Sequence, residues 1–257
     1  MIIRKIIPAK IINWRRRKKE SAKREKEKEL AVKKINSDLE NFNALGKQYA
    51  IQAREENLFY CIGDDTADTA FDAHYIYHPA WAARIVKQIN PGLHIDISST
   101  LHFCSLLSAF IPVDFYDYRP AILNLDNLNS KRGDLMNLPF ADNSIESLSC
   151  MHTVEHIGLG RYGDPIDPIG DIKAISELKR VCKPAGSLLF VVPVGVPRIM
   201  FNAHRIYDPE FIIQQFEEFD LIDFSLVQDD NKFIKNADLS LGKKQNYGCG
   251  CFWFKKK

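Results

Sequence analysis

Short apolar segments alternate with amphipathic segments from residue 79 onward, and this alternation constrains the fold more than any other feature of the sequence. The apolar segments predict strands at residues 93–97, 113–116, 145–151, 187–192, 221–227 and 249–254. The amphipathic segments predict helices at residues 79–90, 101–110, 169–182 and 209–216. Such alternation predicts an α/β fold, a mostly parallel sheet with helices on both faces. Because ligands of these sheets bind beyond the carboxyl ends of the strands, we expect the functional residues directly after positions 97, 116, 151 and 192.

The length and composition exclude several classes of protein. The chain has 257 residues, of which 46% are hydrophobic and 26% charged, as in an ordinary globular protein. No segment reaches the roughly 20 apolar residues that a membrane-spanning helix needs. The isoleucines of residues 2–12 are interrupted by Arg4, Lys5 and Pro8, so the start does not resemble a secretory signal peptide. We therefore expect a cytoplasmic protein.

The net charge of +2 hides a strong asymmetry along the chain. Residues 1–34 contain 14 Lys and Arg against 4 Glu, a balance of +10, so the remaining residues carry −8. Trp14 and nearby isoleucines stand beside the basic run 15–19, a combination that suits an anionic membrane surface. A solvated, partly disordered helix is the alternative, and the acidic remainder argues against nucleic acid as a partner. We expect residues 1–30 to attach the protein peripherally to the inner face of a membrane.

Residues 31–45 have a pattern of their own. Apolar side chains recur there at helical spacing, at Ala31, Ile35, Leu39 and Phe42. This predicts a helix that ends near Gly46 and that packs on the rest of the chain or pairs with a second copy. We therefore divide the chain into a basic helical N-terminal arm, residues 1–50, and a larger α/β domain, residues 51–257. Within the latter, residues 57–63 are predicted as a short strand or an irregular lead-in.

Six cysteines in a chain of this length are too few for a disulfide scaffold. Four of them lie singly in apolar surroundings and are predicted to be buried thiols: Cys61, Cys104, Cys150 and Cys182. Cys249 and Cys251 form a C-x-C pair, but no second pair and no histidine stands near them in the sequence. We interpret this pair as alternating residues of a strand and assign no metal site.

Two motifs resemble those of class I S-adenosylmethionine-dependent methyltransferases. Residues 134–148 read DLMNLPFADNSIESL, similar to the superfamily pattern D-x-x-x-L-P-F-x-D-x-S-x-D-x-V. Residues 177–186 read ELKRVCKPAG, similar to E-L-x-R-V-L-K-P-G-G. The runs EHIGLGRYGD at 155–164 and FNAHRI at 201–206 are similar to those of an uncharacterised bacterial family within that superfamily. The resemblance implies a Rossmann-like sheet of seven strands, of which the last is antiparallel.

In that superfamily the cofactor S-adenosylmethionine lies over a glycine-rich turn, D/E-x-G-x-G, after the first strand. The corresponding residues 96–100 read DISST, so both glycines are replaced. The resemblance assigns five residues to the cofactor: Asp96 and Ser98 in the turn, Asp117 to the ribose hydroxyls, and Asp134 and Leu135 to the adenine. Glycine allows the backbone to approach a ligand closely, and the Ser98 hydroxyl is expected to bond the cofactor's carboxylate instead. Turn or cap roles are the alternative for Asp117 and Asp134.

Methyl transfer to a hydroxyl needs an aligned acceptor and a group that takes the acceptor's proton. Histidine titrates near neutral pH, and three histidines follow the predicted strands at 145–151 and 187–192: His152, His156 and His204. His152 comes directly after the strand at 145–151 and is the first candidate for the base. A packing role for His156 and a helix-capping role for His204 are the alternatives.

Two further groups of residues are expected near the mouth of the pocket. The loop between His156 and Ile172 contains three aspartates, Asp164, Asp167 and Asp171, which are interpreted as turn and cap residues, with a divalent metal site as the alternative. Aromatic residues before the first strand either close over the acceptor or pack among themselves; they are Tyr75, Tyr77, His78 and Trp81.

These features predict a methyltransferase that acts on a polar small molecule. A sugar on a lipid-linked or nucleotide carrier is the first candidate, because the basic arm would hold the enzyme near a membrane where envelope glycans are built. One alternative is a degenerate fold that binds no cofactor and serves as a scaffold. Another is an enzyme of glycan assembly with different chemistry on the same sheet, since a fold does not dictate function. The oligomeric state is left open.

Overall fold

The structure, a computed structural model, describes residues 9–257, with side chains from residue 17 onward. The chain divides into two compact units, residues 1–70 and residues 71–257, so the predicted boundary at residue 50 falls within the first unit. The expected membrane-binding segment, residues 1–30, lies partly outside the described residues. Among the helices that the structure describes, none is long and apolar enough to cross a membrane.

The first unit is built on one long helix, α1 (Ala9–Gly46), which ends at Gly46 as predicted. The chain then folds back, because the side chain of Asn43 makes two hydrogen bonds with the main chain of Ala53, of 3.0 and 2.8 Å. The Tyr60 hydroxyl donates to Asn36 on the same helix at 2.9 Å. Residues 57–63 form no strand, which leaves the irregular lead-in, and Cys61 is exposed rather than buried.

The second unit consists of alternating helices and strands. Its helices are α2 (Ala73–Ile89), α3 (Leu101–Leu107), α4 (Gly170–Val181), α5 (Pro209–Gln215) and α6 (Leu239–Lys243). Its strands are β1 (His94–Ile97), β2 (Val113–Asp117), β3 (Leu128–Arg132), β4 (Ile145–Met151), β5 (Cys182–Val194), β6 (Arg198–Met200), β7 (His204–Ile206), β8 (Phe219–Val227), β9 (Phe233–Ile234) and β10 (Gly248–Lys256).

One sheet carries the second unit, in the order β3-β2-β1-β4-β5-β10-β8-β9. Strands β1 to β5 pair in parallel, and β10 lies antiparallel between β5 and β8. The predicted α/β, Rossmann-like sheet of seven strands is therefore confirmed, and the two-residue strand β9 extends its edge. Strands β6 and β7 form a separate hairpin.

Helices cover both faces of this sheet, as the apolar pattern predicts. One face packs against buried side chains of α4 and α5, such as Leu178 and Ile212. The other packs against α2 and α3 through residues such as Val86 and Phe103. All four residues of β1 are buried, which is typical of a parallel strand covered on both sides.

The structure differs from the predicted elements at the start of α2 and at β3, and it adds the short elements β6, β7, β9 and α6. Helix α2 begins at Ala73 rather than at Pro79, because Asp72 caps it by accepting a hydrogen bond from the Tyr75 N–H at 3.2 Å. Pro79 lies inside the helix, where it has no N–H to donate, and the helix continues through it. The apolar pattern does not predict strand β3, because it is a polar edge strand in which Leu128 is the buried residue.

Candidate functional site

A pocket of about 430 Å³ opens at the carboxyl ends of β1, β2 and β4, where the strand pattern predicts a site. Five of the candidate residues line this pocket together: Ser98, Asp117, His152, His156 and His204. Asp134 and Leu135 line an adjoining cavity of about 50 Å³, which shares Ser98 and Ile157 with the pocket. The fold thus brings seven of the eight candidate residues to one edge of the sheet.

The turn after β1, residues 96–100, is hereafter the β1 turn. Ser98 has φ of 54°, a backbone conformation that glycine adopts freely and other residues adopt rarely. Its N–H and its hydroxyl both donate to the Tyr116 carbonyl oxygen, at 2.8 and 3.1 Å. Thr153 in turn donates its hydroxyl to the Ser98 carbonyl at 2.8 Å. The turn therefore takes the shape of a glycine turn, but the Ser98 hydroxyl is already engaged within the chain.

Asp96, the first residue of the β1 turn, is fully buried, so it supports the rest of the turn rather than contacting a ligand directly, contrary to the expectation. Its Oδ1 accepts a hydrogen bond from the Ser99 N–H at 3.0 Å, and its Oδ2 accepts one from the Ser149 hydroxyl. Burial raises the pKa of Asp96 to about 6. On the neighbouring side, His94 lies between Ser149 and Ser147, and burial lowers the pKa of His94 to about 3.

Thr100 is a pocket residue that the sequence analysis did not assign. Its hydroxyl oxygen accepts a hydrogen bond from the Phe103 N–H at 3.2 Å and thereby caps α3. A hydroxyl group also carries one hydrogen that it can donate. Among the described residues the Thr100 hydroxyl accepts a hydrogen bond but donates none. Ser99 differs, because its hydroxyl bonds Asp96. Thr100 occupies the position of the second glycine of the superfamily turn, which is the signal that could have identified it.

Asp117 and Asp134 combine the two roles that the sequence left open. Asp117, at the end of β2, accepts a hydrogen bond from the Arg119 N–H on Oδ1 at 2.7 Å. Asp134 accepts one from the Met136 N–H on Oδ1 at 2.9 Å. Each is therefore a turn residue, and each also lines a cavity. Oδ2 of each carboxylate is the oxygen that a ligand can use.

The segment after β4, residues 152–156, is hereafter the β4 segment. His152 has φ of 54°, the same unusual conformation as Ser98. Its Nδ1 is hydrogen-bonded to Glu155 Oε1 at 2.8 Å, and its Nε2 is buried with no hydrogen-bond partner in the described residues. Its ring stacks against His74 and Tyr75, each with centroids 5.5 Å away. Neither ring nitrogen is therefore open to an acceptor, which argues against His152 as the base.

Glu155 is a second residue that the sequence analysis did not assign to the site. Only 1% of it is exposed, and its Oε2 has no hydrogen-bond partner among the described residues. His156 Nε2 lies 3.8 Å from Glu155 Oε1, and His156 Nδ1 donates to the Ala203 carbonyl at 2.6 Å. His156 thereby holds the residue that precedes His204. Its packing role, the alternative given above, is consistent with these contacts.

His204 is the first residue of the hairpin strand β7, and it lines the same pocket as the β1 turn. Its ring is half-buried, and its centroid lies 4.9 Å from that of Tyr247. Burial lowers the pKa of His204, so its imidazole is neutral at pH 7 and keeps a lone pair. Helix α5 is capped by Asp208 instead, so the capping role considered for His204 is wrong.

The three aspartates of the Gly- and Asp-rich loop do not converge on a common point. Asp164 accepts hydrogen bonds from three main-chain N–H groups of its own loop. Asp167 pairs with Lys173 at 2.6 Å, and Asp171 accepts a hydrogen bond from the Tyr207 hydroxyl at 2.9 Å. Each carboxylate therefore has separate partners. Asp164 and Asp167 accept hydrogen bonds from main-chain N–H groups of turns, as interpreted, whereas Asp171 is buried beside Tyr207 and Arg205.

The aromatic residues of α2 are divided between the pocket and the core. Tyr75 lines the pocket. Tyr77 stacks on Phe233, with centroids 5.3 Å apart, and Trp81 is buried and donates its indole N–H to Asp223 at 2.8 Å. Tyr77 and Trp81 therefore have packing roles, and Tyr75 is the member of the group that borders the pocket.

Comparison with known proteins identifies the fold. The YcgJ protein of Bacillus subtilis is 13% identical, with a TM-score of 0.51 over 70% of this chain and 98% of that one. The 1,6-didemethyltoxoflavin-N1-methyltransferase of Burkholderia thailandensis, with bound 1,6-didemethyltoxoflavin and S-adenosylhomocysteine, is 9% identical. Its TM-score is 0.50, over 70% of this chain and 79% of that one. The chain has the fold of class I S-adenosylmethionine-dependent methyltransferases.

A family profile described as a Caenorhabditis protein of unknown function, DUF268, matches residues 137–250. The likeness to an uncharacterised family is thereby confirmed, although the description names Caenorhabditis rather than bacteria. The matched stretch runs from the approach to β4 into β10, so it includes the β4 segment and His204. No curated protein sequence matches the chain.

Proposed function

We propose that this chain binds S-adenosylmethionine in the pocket at the carboxyl ends of β1, β2 and β4 and transfers its methyl group to a polar small molecule. The observation that carries the proposal is the φ of 54° at Ser98, at the first glycine position of the superfamily turn. A residue with a side chain is held in this conformation only when the surroundings require it, and such strain is concentrated at functional sites. Ser98 thus has the backbone conformation that a glycine adopts freely, although neither glycine of the superfamily pattern is present.

The residues around the pocket suit the chemical groups of this cofactor. The Oδ2 of Asp117 is available to accept hydrogen bonds from ribose hydroxyls, and Asp134 and Leu135 border the adjoining cavity that suits the adenine. The free hydrogen of the Thr100 hydroxyl suits the carboxylate, in place of the expected bond from Ser98. When bound, the cofactor supplies a methyl group that is already activated by the sulfonium. The chain has to orient the acceptor and take its proton.

A further group of residues that line the pocket suits an acceptor molecule that has both polar groups and apolar surfaces. Tyr75 and Tyr247 line the pocket with partly exposed rings, and Arg161 and His204 add hydrogen-bonding groups. Pockets that combine aromatic faces with a few placed polar groups are typical small-molecule sites, and a sugar has both kinds of surface. We assign proton removal to His204, whose ring is neutral and borders the pocket. His156 positions the loop that carries His204.

The basic arm supports the finer proposal of a sugar acceptor in envelope glycan synthesis. Deletion of residues 1–30 is expected to abolish binding to vesicles that contain an anionic lipid, and raised salt is expected to weaken binding of the full chain. The control is a vesicle of zwitterionic lipid, which neither form should bind. Equal sedimentation of both forms with anionic vesicles would contradict the membrane proposal and leave the methyltransferase proposal standing.

Calorimetric titration with S-adenosylhomocysteine tests cofactor binding. Asp117→Ala is expected to lower the affinity by about tenfold to a hundredfold, because charge-assisted hydrogen bonds contribute about 1.5–3 kcal/mol. Asp126→Ala, at an exposed aspartate that does not line the pocket, is the matched control and should bind like the wild type. No binding by the folded wild type would favour the scaffold or the other glycan chemistry. Equal affinity of the two variants would remove the ribose role of Asp117.

Transfer of labelled methyl groups to a panel of nucleotide-linked and lipid-linked sugars tests the acceptor side. With an acceptor found, His204→Ala should lower the maximal rate by about 10²–10⁴ and leave the affinity for S-adenosylhomocysteine unchanged. His102→Ala, at an exposed histidine of α3, should keep the rate. A His204→Ala variant that keeps the wild-type rate would show that another group takes the proton.

A further inference from the structure

We propose that His74, His152 and Cys249 form a binding site for zinc behind the β4 segment. One ring nitrogen of each histidine and the Sγ of Cys249 all lie within 4.8 Å of one another. Zinc bonds of about 2.0–2.3 Å in a tetrahedral site place ligand atoms roughly 3.3–3.8 Å apart. The three side chains therefore need to move inward only slightly, by about 1 Å or less. This inference does not rest on the proposed methyl transfer.

Unsatisfied nitrogen atoms provide an independent sign that a ligand belongs here. The Nε2 atoms of His152 and His78 are buried, and neither has a hydrogen-bond partner in the part of the chain that the structure describes. The two rings lie 5.0 Å apart between centroids. Buried polar atoms are nearly always paired in folded proteins, because an unpaired one costs the free energy of its lost hydration. Two such nitrogens in one cluster indicate a partner other than the chain itself.

The hydrogen bonds around the cluster suit metal ligation. His152 Nδ1 is bonded to Glu155 Oε1 at 2.8 Å, so the lone pair of His152 is on Nε2. A carboxylate behind a histidine is the usual support of a metal-binding imidazole, because it fixes the tautomer and orients the ring. His78 Nδ1 donates to the His74 carbonyl oxygen at 2.7 Å, which likewise leaves the lone pair of His78 on Nε2. His78 lies outside the group of three ligand atoms, so it borders the site and does not supply one of these three ligands.

The donor set favours zinc over the hard cations. Two imidazole nitrogens and one sulfur are ligands of zinc and related transition metals, whereas magnesium and calcium prefer oxygen. Cys249 is fully buried, and its Sγ lies 3.8 Å from that of Cys251. Only Cys249 belongs to the cluster with the two histidines, so Cys251 is a neighbouring thiol that serves as a control.

The site would join three separate parts of the second unit. His74 lies in the first turn of α2, His152 follows β4, and Cys249 lies in β10. His152 also lines the pocket, so a metal ion on its far side would fix the ring that forms the pocket wall. We therefore assign the zinc a structural role, in which it holds the β4 segment in its strained conformation.

Metal analysis and cobalt substitution of the full chain test this site. The purified protein should bind one equivalent of zinc. The cobalt form should show thiolate-to-cobalt charge transfer in the near ultraviolet and strong visible bands of tetrahedral cobalt. Cys249→Ser should remove the charge-transfer band. Loss of a residue that only hydrogen-bonds to a metal ligand lowers metal affinity by about 10–100-fold. His74→Ala removes a ligand itself and should therefore weaken zinc binding by more than this. Cys251→Ser should retain both the band and the affinity.

The wild-type spectrum keeps the proposal falsifiable even where a variant does not fold. A folded wild-type protein that fails to bind zinc or cobalt in competition with a weak chelator would overturn it. So would a cobalt spectrum without thiolate charge transfer, or a Cys251→Ser variant that loses the band while Cys249→Ser keeps it. None of these outcomes bears on S-adenosylhomocysteine binding, which is measured separately.

Discussion

The β1 turn and the β4 segment lie at the ends of neighbouring parallel strands, and each contains a residue at φ of 54°, Ser98 and His152 respectively. They differ in how their polar groups are satisfied. In the β1 turn, Asp96 and Ser98 find hydrogen-bond partners within the chain. In the β4 segment, His152 and Glu155 each keep a buried atom without a partner among the described residues.

This difference indicates that the two regions depend on ligands in different ways. The β1 turn is complete without a ligand, so it can present a preformed surface to a cofactor at little cost in ordering. The β4 segment is incomplete, and buried unpaired groups of this kind call for a ligand that pairs them. We therefore expect changes in the β4 segment to affect stability strongly, and changes at the surface of the β1 turn to affect binding.

The largest effect is expected for Glu155→Ala. This change leaves the His152 Nδ1–H group buried without its acceptor, and a buried hydrogen-bonding group without a partner costs up to about 3 kcal/mol. Glu146→Ala is the matched control, because Glu146 pairs with Lys183 at an exposed site where a salt bridge contributes at most about 1 kcal/mol. Urea unfolding of both variants at pH 7 measures the contrast. Similar losses would show that the β4 segment does not depend on its buried pair.

The pH dependence of the stability of Asp96→Asn, compared with that of the wild type, tests the role of the buried carboxyl group in the β1 turn. The folded-state pKa of Asp96 is about 6, above the ordinary value of 3.8, so the folded protein holds this proton more tightly than the unfolded chain. Stability from Asp96 is therefore fully present below pH 4 and is lost as the pH rises through 6. At roughly 1.4 kcal/mol per pKa unit, the wild type should lose up to about 3 kcal/mol relative to the variant over this range.

Urea midpoints at pH 4, 5, 6 and 7 give the difference between the two proteins. His94 contributes with the opposite sign, since its pKa is lowered to about 3 and its stability is lost as the pH falls below 6.5. Both proteins contain His94, so its contribution cancels in the comparison. Cys104, which also bonds Asp96, stays protonated throughout, because burial raises its pKa. Parallel curves for the two proteins would mean that Asp96 is not perturbed.

Thr100→Val is expected to weaken S-adenosylhomocysteine binding by about tenfold, because it removes the free hydroxyl hydrogen from the pocket. Thr100→Ser keeps the hydroxyl and should bind like the wild type. Valine also removes the cap of α3, at a cost of about 1 kcal/mol in stability, so titration is done well below the melting temperature. Equal binding by the two variants would exclude Thr100 from recognition.

The smallest effect is expected for Ser98→Gly. The Ser98 hydroxyl donates to Tyr116, so its loss should leave the affinity for S-adenosylhomocysteine within about threefold of the wild type. Ser98→Ala separates the contributions to stability. Alanine keeps the strain at φ of 54° and loses the hydrogen bond, whereas glycine loses both, so glycine should be the more stable by about 1 kcal/mol. A tenfold loss of affinity with glycine would restore the direct role expected from the sequence.

Most of the sheet could be predicted from the sequence, because its strands are buried and apolar. Strand β4 was predicted with its observed ends, Ile145–Met151, and its first four residues belong to the superfamily motif at 134–148. Strand β3 could not be predicted, because a polar edge strand has no apolar pattern. Helix α2 was predicted too short, because proline is usually found in the first turn of a helix and the sequence therefore places its start at Pro79.

The candidate site was predictable where topology alone positions the residue. Asp117 reaches the pocket because it ends a parallel strand, and Ser98 because it follows one. Contacts between distant parts of the chain were not predictable. Cys249 stands far from any histidine in the sequence, yet the fold sets it beside His74 and His152. Side-chain orientation was equally hidden, so the sequence suggested His152 as a base although its free nitrogen is buried.

A crystal structure of the full chain with S-adenosylhomocysteine tests the central claim most directly. We expect the ligand in the pocket at the carboxyl ends of β1, β2 and β4, with its ribose hydroxyls on Asp117 Oδ2 and its adenine beside Leu135. Ser98 should keep its positive φ and its hydrogen bonds to Tyr116. A ligand bound elsewhere, or a pocket that stays empty in crystals soaked at saturating concentration, would contradict the assignment of this pocket to the cofactor.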